Sequence, residues 1–426
     1  MLQAITRRNT NRVAATASQH ATVCVMRRIA ATGLVLVAAI TALTGIASAE
    51  TSTTLCVPEK AGKPIITGTS EGTCTKAKYG PVALPAGGLG TLAKLLPHMK
   101  YLETGVAGKP TIQFSGVNVQ VVNGEGETRT ANGEGNLVVG YDENKAGHEQ
   151  TGSHDLIVGE EQTFTSYGGL VAGLKNEIIG PFVSVTGGSL NKAQSLASSI
   201  GGGELNTANA QYASVSGGFA NTASGSYASV GGGEENKASG SGASVGGGAK
   251  NSAKELGATI SGGFENVAEK RYSSVSGGAQ NLAEGEKAAI SGGAENKALG
   301  TLSAISGGAE NFAEGLAAMI GGGVGNGTFA KFAAISGGQG NVTREERSWI
   351  GGGFGNETQG KWSSIAGGNE NHANGALSSL SGGRENYATG EESWVGGGKE
   401  NMAEAKLSSV FGGKLNKATK EFEASP

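Results

Sequence analysis

The chain contains few aspartates, few aromatic residues and few cysteines. Only Asp142 and Asp155 occur, and both precede the repeats described below, which argues against a calcium-binding β-helix with an Asp in every turn. Glycine is abundant, with 76 residues in 426, but it does not recur at every third position, so a collagen-like fold is excluded. The net charge of -3 and the lack of a basic stripe argue against nucleic acid as a partner.

The first 49 residues have the features of a secretory signal peptide. Arg27 and Arg28 precede an apolar run over residues 29–46, and the small residues 47–49 form a cleavage site that would leave Glu50 as the mature N-terminus. The alternative is a membrane anchor. We expect export, no membrane span in the mature chain, and a secreted or cell-surface location.

Residues 50–110 are predicted to form an irregular lead segment with one short helix and one disulfide. The mature chain retains Cys56 and Cys74, and an exported chain with a single pair suggests one bond between them. Free thiols or a bond between chains are the alternatives. The leucines of residues 89–102 have helical spacing that Pro97 interrupts, consistent with either a cap on a larger fold or a short coiled segment that gathers several chains.

The main feature is a fifteen-residue repeat. An aliphatic residue, a glycine three positions later and an asparagine six positions later recur together seventeen times, with the glycine and the asparagine unchanged from Gly173 and Asn176 to Gly413 and Asn416. The aliphatic positions are Leu170, Val185, Ile200, Val215, Val230, Val245, Ile260, Val275, Ile290, Ile305, Ile320, Ile335, Ile350, Ile365, Leu380, Val395 and Val410. A fixed short period without insertions predicts a solenoid in which each unit stacks on the next in the same register.

Each unit alternates small or aliphatic residues with polar ones and contains paired glycines, which predicts two short strands and two turns per coil. Helical repeats need longer units and would be broken by glycine at this density. We therefore predict an all-β, parallel β-solenoid, a flattened β-roll of about 17 coils over residues 170–419, followed by a tail at 420–426. Residues 111–169, with alternating segments at 112–114 and 117–121 and imperfect coils at 136–140 and 155–159, are predicted to form an N-terminal cap.

The repeated positions are predicted to be structural. Stacked asparagines hydrogen-bond to nearby backbone and to each other, although a row of ligand-binding amides is the alternative. The structural residues singled out are Asn191, Asn206, Asn221, Asn236, Asn251, Asn266, Val215, Val230, Val245, Gly218 and Gly233.

Two columns of apolar residues are predicted to face outward and form a partner surface, with scattered exposure on a monomer as the alternative. The first, three residues before the aliphatic, contains Phe182, Tyr212, Tyr227, Tyr272, Leu302, Phe332, Trp362, Leu377 and Leu407. The second, just after the asparagine, contains Val267, Leu282, Phe312, Val342, Tyr387 and Met402.

The repeat SVSGGFANTASGSYASV resembles the head repeats of YadA-like trimeric autotransporter adhesins, over about residues 170–418. The resemblance implies a left-handed parallel β-roll and a homotrimer. The unit here is one residue longer, and Gly187, Gly217 and Gly262 replace a residue that is apolar and inward in that family, so a thinner core is expected. Neither a coiled-coil stalk nor a barrel anchor is recognised. Residues 133–173 are also similar to uncharacterised secreted bacterial repeat proteins.

These features favour a secreted, non-enzymatic, adhesin-like module that contacts a host or matrix surface or a glycan, without cofactor, metal or catalytic residues. A glycan- or ice-binding face is the alternative, based on a row of serines such as Ser184, Ser199 and Ser214 that is interrupted at Met319, Trp349 and Trp394. A polysaccharide-active enzyme would need clustered carboxylates, whereas the glutamates Glu235, Glu265, Glu295 and Glu310 are scattered.

His148 and His154, near Asp155 and Glu160, are the weak candidates for a metal site. Three glycosylation sequons fall on Asn326, Asn341 and Asn356 and are interpreted as by-products of the repeat.

Overall fold

The computed structural model describes residues 53–58, 66–67, 74, 79–84, 94–144 and 147–426. The predicted signal peptide lies outside these residues. The chain divides into two compact units, Met1–Val119 and Gln120–Pro426, which we describe separately.

The described part of the first unit contains two small antiparallel sheets. In one, the central strand Thr53–Pro58 pairs with Ile66–Thr67 and with Tyr79–Leu84. In the other, Met99–Leu102 pairs with Thr111–Phe114, and short 3-10 turns lie at Leu96–His98 and Val106–Gly108.

The prediction that the lead segment is irregular is wrong, because three of its stretches pair as strands. The short helix expected among residues 89–102 ends by His98, because Met99–Leu102 is a strand. The alternating residues 117–121 form no strand, and Val117, Val119 and Val121 are exposed. The side chain of Cys56 lies outside the described residues, so the bond to Cys74 stays a prediction.

The second unit is a parallel β-solenoid, as the sequence predicts, and it has about 19 coils where about 17 were expected. Each regular coil contributes one two-residue strand to each of two sheets. The first sheet stacks Leu137–Val139, Leu156–Glu160, Leu170–Leu174, Ser184–Val185, Ser199–Ile200, Ser214–Val215, Ser229–Val230, Ser244–Val245, Thr259–Ile260, Ser274–Val275, Ala289–Ile290, Ala304–Ile305, Met319–Ile320, Ala334–Ile335, Trp349–Ile350, Ser364–Ile365, Ser379–Leu380, Trp394–Val395, Ser409–Val410 and Ala424–Ser425.

The second sheet contains the strand that follows the asparagine in each coil. Its strands are Thr163–Phe164, Glu177–Ile178, Lys192–Ala193, Thr207–Ala208, Thr222–Ala223, Lys237–Ala238, Ser252–Ala253, Val267–Ala268, Leu282–Ala283, Lys297–Ala298, Phe312–Ala313, Gly327–Thr328, Val342–Thr343, Glu357–Thr358, His372–Ala373, Tyr387–Ala388, Met402–Ala403 and Lys417–Ala418. A third row of single parallel bridges lies between the two strands of a coil, as from Phe219 to Glu234. The repeat pattern does not predict this third row.

The core is a set of continuous columns along the solenoid axis. Val215 pairs with Val230 and Val230 with Val245, and all three are buried. Opposite them, the second strand supplies a column of buried alanines such as Ala223 and Ala238. Because period-two alternation sends every other side chain inward, one aliphatic and a few small residues fill each coil.

The first regular coil begins later than the sequence suggests. Val171 pairs with Val185 and is fully buried, whereas Leu170 pairs with the outward Ser184. Val171, and not Leu170, therefore belongs to the aliphatic column. The imperfect coils are stacked in parallel before it, with Leu137 on Leu156 and Leu156 on Leu170.

Two further expectations change. Residues 420–426 are not a separate tail, because Ala424–Ser425 pairs with Ser409–Val410 and continues the first sheet. Gly187 and Gly262 do not occupy inward positions, because a Cβ added at either would meet nothing within 4 Å. The left-handed sense of the coil stays a prediction.

Candidate binding surface

The asparagines form a hydrogen-bonded ladder inside the solenoid. The backbone N–H of Asn221 donates to the Oδ1 of Asn206 at 3.0 Å, and its Nδ2 donates to the same atom at 3.1 Å. The Nδ2 also donates to the carbonyl oxygens of Gly217 and Gly233. The Oδ1 of Asn221 accepts from the N–H of Asn236.

The same pattern recurs at the other asparagines that were predicted to be structural. Asn191, Asn206, Asn236, Asn251 and Asn266 are fully buried, and each donates its Nδ2 to the glycine four residues earlier and to the glycine twelve residues later. Their polar atoms are committed to neighbouring backbone. These amides hold the turns together and are not exposed to a ligand.

The ladder begins with residues that are not asparagines. The Oε1 of Gln162 accepts from the N–H of Asn176, and the N–H of Gln162 donates to the Oδ1 of Asp142 at 2.9 Å. Sequence reasoning missed both residues, because the fifteen-residue spacing does not extend to them. Their shared feature is a side-chain oxygen that can accept from the next coil.

The glycine three residues after the aliphatic is required on two counts. Gly218 has a φ of 94°, and a Cβ there would lie 2.2 Å from the carbonyl oxygen of Gly233 and 2.7 Å from the Nδ2 of Asn221. Gly233 has the same geometry against Gly248 and Asn236. A side chain at either position would disrupt both the coil stacking and the ladder.

The outward column three residues before the aliphatic, which we call the turn column, has an unexpected backbone. Tyr212, Tyr227 and Tyr272 have φ values of 57°, 60° and 56°, in the left-handed region. The other non-glycine residues of this column, from Phe182 to Phe422, also have a positive φ. Sequence reasoning did not predict this backbone conformation, because these residue types disfavour it.

The exposed side chains of the turn column contact one another along the axis. Tyr212 and Tyr227 stack with ring centroids 5.0 Å apart. The guanidinium of Arg347 lies 5.4 Å from the ring of Phe332 and 4.5 Å from that of Trp362. Neighbouring coils therefore present a joined aromatic and cationic ridge rather than isolated apolar residues.

The outward column just after the asparagine is more mixed. Its apolar members, including Val267, Leu282 and Phe312, are half-buried, and other coils place lysine or glutamate there. His372 and Tyr387 stack at 4.9 Å, and Phe312 packs on Phe329 at 5.6 Å. This column is a less uniform contact surface than the turn column.

The first sheet has an outward face made by the residues directly before and directly after each aliphatic, which we call the first-sheet face. Its serines form the row noted in the sequence, and the hydroxyl of Ser229 donates to that of Ser244 at 3.1 Å. Further along, Trp349 and Trp394 interrupt the row of serines. Both indoles lie against the sheet.

Several weak candidates lose their basis in the structure. The sequon asparagines Asn326, Asn341 and Asn356 are buried in the ladder, which leaves them inaccessible in the folded chain. His148 lies 3.7 Å from Glu161, whereas His154 contacts the backbone of Asn123. Within the described ranges, no three His, Cys, Asp or Glu side chains are grouped so that they could hold a metal ion.

Asp155 is the titratable group with the largest change in pKa among the residues that the structure describes. It is buried in an imperfect coil, its Oδ1 accepts from the N–H of Gly169 at 2.6 Å, and its Oδ2 has no hydrogen-bond partner. Burial raises its pKa from 3.8 to about 6, against the opposing effects of the Gly169 N–H and of His154. The orphaned oxygen explains why the neutral carboxyl is favoured there.

A comparison with models of known protein families finds no match, and a search of curated proteins finds no similar sequence. Within the described part of the chain, no helix has the length and apolar character needed to cross a membrane. The class that the fold defines is a repeat protein with a parallel β-solenoid, and any activity has to be argued from its surfaces.

Proposed function

We propose that this protein is a secreted or cell-surface structural module, without enzymatic activity, that attaches to surfaces through many weak contacts along its side. The observation that supports the proposal is the repeated exposure of large apolar side chains in the turn column, whose backbone, like that of the residue before each asparagine, is left-handed. A non-glycine residue in that conformation costs about 1–2 kcal/mol relative to the right-handed one. Large side chains are nevertheless placed there in most coils.

Folding alone does not explain these side chains. Gly242 and Gly257 occupy the same column with φ values of 64° and 63°, so the fold accepts the residue that avoids the cost. The side chains of Tyr227 and Trp362 are 64% and 53% exposed. Backbone strain combined with repeated exposure of large apolar groups is typical of surfaces that contact a partner.

The proposal includes the properties inferred from the sequence. The chain is exported by its signal peptide, Cys56 and Cys74 form a disulfide, and a homotrimer related to YadA-like heads is the assembly that the resemblance favours. A host or matrix surface is the target. Many weak contacts spaced along the solenoid give strong attachment by multivalency.

The test replaces Tyr212, Tyr227 and Tyr272 together by glycine, the residue that neighbouring coils use. We expect unchanged β-sheet circular dichroism and at least a tenfold loss of attachment to matrix-coated or cell surfaces. Replacing Lys192, Lys237 and Lys297 by alanine, on the second sheet, serves as the control and leaves attachment intact. Equal attachment of the tyrosine variant and the parent protein would contradict the proposal.

Sedimentation velocity of the same variants separates a trimer from a monomer. If the turn column is the trimer contact, the parent sediments as a trimer and the tyrosine variant as a monomer. A parent chain that remains monomeric at micromolar concentration would remove the trimer from the proposal.

A further inference from the structure

The first-sheet face is free of charge along the whole row of regular coils. From Ser184 and Thr186 to Ser409 and Phe411, its residues are serine, threonine, alanine, glycine, methionine, tryptophan and phenylalanine. The outward column of the second sheet, by contrast, contains Lys192, Glu357 and other charged residues. In a chain with 16% charged residues, an uncharged face of this length excludes partners bound through ion pairs.

The two tryptophans of this face share one hydrogen-bond pattern, and Trp394 also packs edge-on against Phe411, with ring centroids 5.6 Å apart. The Nε1 of Trp349 donates to the Oγ of Ser336 at 3.2 Å, and the Nε1 of Trp394 donates to the Oγ of Ser381 at 3.3 Å. Each ring therefore reaches across to the preceding coil. The hydrogen bond fixes the orientation of the indole and satisfies its N–H.

A glycine two residues later makes room for each ring. A Cβ added at Gly351 would lie 2.9 Å from the Cη2 of Trp349, and one added at Gly396 would lie 2.7 Å from the Cη2 of Trp394. Met319, the other large residue that interrupts the serine row, is likewise followed by Gly321. Each indole thus lies against the sheet over its glycine; Trp349 is 41% exposed, whereas Trp394 is half-buried beside Phe411.

We propose that Trp349 and Trp394 are two platforms of a binding site for a neutral polysaccharide chain that runs along the solenoid axis. Three coils separate them, or about 14 Å at the usual spacing of neighbouring strands. Ser364, Ser379 and Ser381 place hydroxyl groups between them. A single extended oligosaccharide can therefore contact both rings.

The chemistry of the face fits this ligand. The C–H face of a pyranose ring buries apolar area against an indole, and the serine hydroxyls donate to and accept from the sugar hydroxyls. An acidic glycan or a nucleic acid would find no cation on this face to pair with its charges. Two weak stacking contacts joined by one chain bind more tightly than either alone.

This inference specifies one ligand of the proposed surface module, and it uses a different face from the turn column. The chain has three tryptophans, and the third, Trp362, lies in the turn column. The W362L variant therefore retains both platforms as its only indoles, with leucine as in other coils of that column. Titrating this variant with cellohexaose, chitohexaose and mannohexaose, with polygalacturonate as the anionic control, measures binding through indole fluorescence.

We expect a saturable blue shift with at least one neutral oligosaccharide and none with polygalacturonate. In affinity electrophoresis through the matching neutral polysaccharide, the W349S/W394S variant should lose retardation, each single variant should bind at least tenfold more weakly than the parent, and W362L should migrate like the parent. Serine is the residue that neighbouring coils have at both positions, so circular dichroism should not change.

Three results would overturn the inference: no neutral oligosaccharide shifts the fluorescence at millimolar concentration, polygalacturonate shifts it equally, or the W349S/W394S variant is retarded like the parent. If one of these results is found but attachment is still lost in the variant with the three turn-column tyrosines replaced, the proposed surface-module function remains supported and only the glycan site is rejected. If the protein binds the glycan but its attachment to surfaces does not depend on the three tyrosines, the turn column is rejected as the attachment surface instead.

Discussion

The Oδ1 of Asn206 accepts two hydrogen bonds from Asn221 in the next coil, from the backbone N–H at 3.0 Å and from Nδ2 at 3.1 Å. One side-chain atom thereby connects the turn of one coil to both the backbone and the side chain of its neighbour. Repeated along the axis, this bond fixes the register of every coil, because a shift by one residue would leave buried amides unpaired.

The first prediction concerns this ladder. Asn221→Asp removes the Nδ2 donor and places an anionic oxygen beside the carbonyls of Gly217 and Gly233. We expect a loss of about 3–5 kcal/mol in the free energy of unfolding at neutral pH, partly recovered below the pKa of the introduced carboxyl. Denaturant unfolding measures it. Asn209→Asp, an exposed change in the preceding coil, is the control and should be nearly neutral.

The second prediction uses two adjacent glycines. Gly218→Ala forces a methyl group to 2.2 Å from the Gly233 oxygen at a left-handed φ, whereas the nearest atom to a Cβ at Gly217 is 3.9 Å away. We expect Gly218→Ala to lower the free energy of unfolding by about 3 kcal/mol or more and Gly217→Ala to change it by less than about 1 kcal/mol. Equal effects of the two variants would show that the close approach is not present in solution.

The third prediction concerns pH. Because the pKa of Asp155 is raised from 3.8 to about 6, the folded state retains a proton that the unfolded chain releases. This group therefore contributes stability that is complete below about pH 3.8 and is lost as the pH rises to about 6. Asp155→Asn should raise stability at pH 7 and remove this part of the pH dependence. A stability profile from pH 3 to 8 that is identical in the two proteins would exclude the assignment.

The fourth prediction concerns buried hydroxyls. Thr328, Thr343 and Thr358 replace the usual alanine in three successive coils, and their Oγ1 atoms are buried without a hydrogen-bond partner. Thr343→Val keeps the shape and removes the unsatisfied group, so we expect a gain of about 1 kcal/mol. Thermal unfolding monitored by circular dichroism measures it, with the outward Thr222→Val as the control. A destabilised Thr343→Val variant would mean that the hydroxyl has a partner in solution.

The architecture could be predicted because the repeat specifies it directly. A constant spacing for Val215, Val230 and Val245 places them in one column in any stacked arrangement, and an invariant asparagine beside paired glycines predicts a ladder at a turn. These positions follow from the fifteen-residue period and from the chemistry of the repeated residues, and both can be read from the sequence.

Other features depend on three-dimensional geometry that the sequence does not show. The left-handed turn at Tyr212 and Tyr227 is imposed by the closure of the coil and opposes the preference of the residue itself. Val171 belongs to the aliphatic column because its spacing to Val185 is fourteen residues and not fifteen. The sequence does not show this, because Leu170 and Val171 both fit the local pattern. The first-sheet tryptophans appeared only as interruptions of a serine row, because their orientation depends on Gly351 and Gly396 in three dimensions.

The distance between equivalent residues tests the stacking of successive coils most directly. Spin labels on cysteines introduced at Ser214 and Ser274, and at Ser214 and Ser379, lie four and eleven coils apart in the same outward row. Pulsed electron paramagnetic resonance should give separations of about 19 Å and 53 Å plus a constant label offset, because each coil adds one strand spacing of about 4.8 Å. Separations that do not grow in proportion to the number of fifteen-residue units would contradict the account.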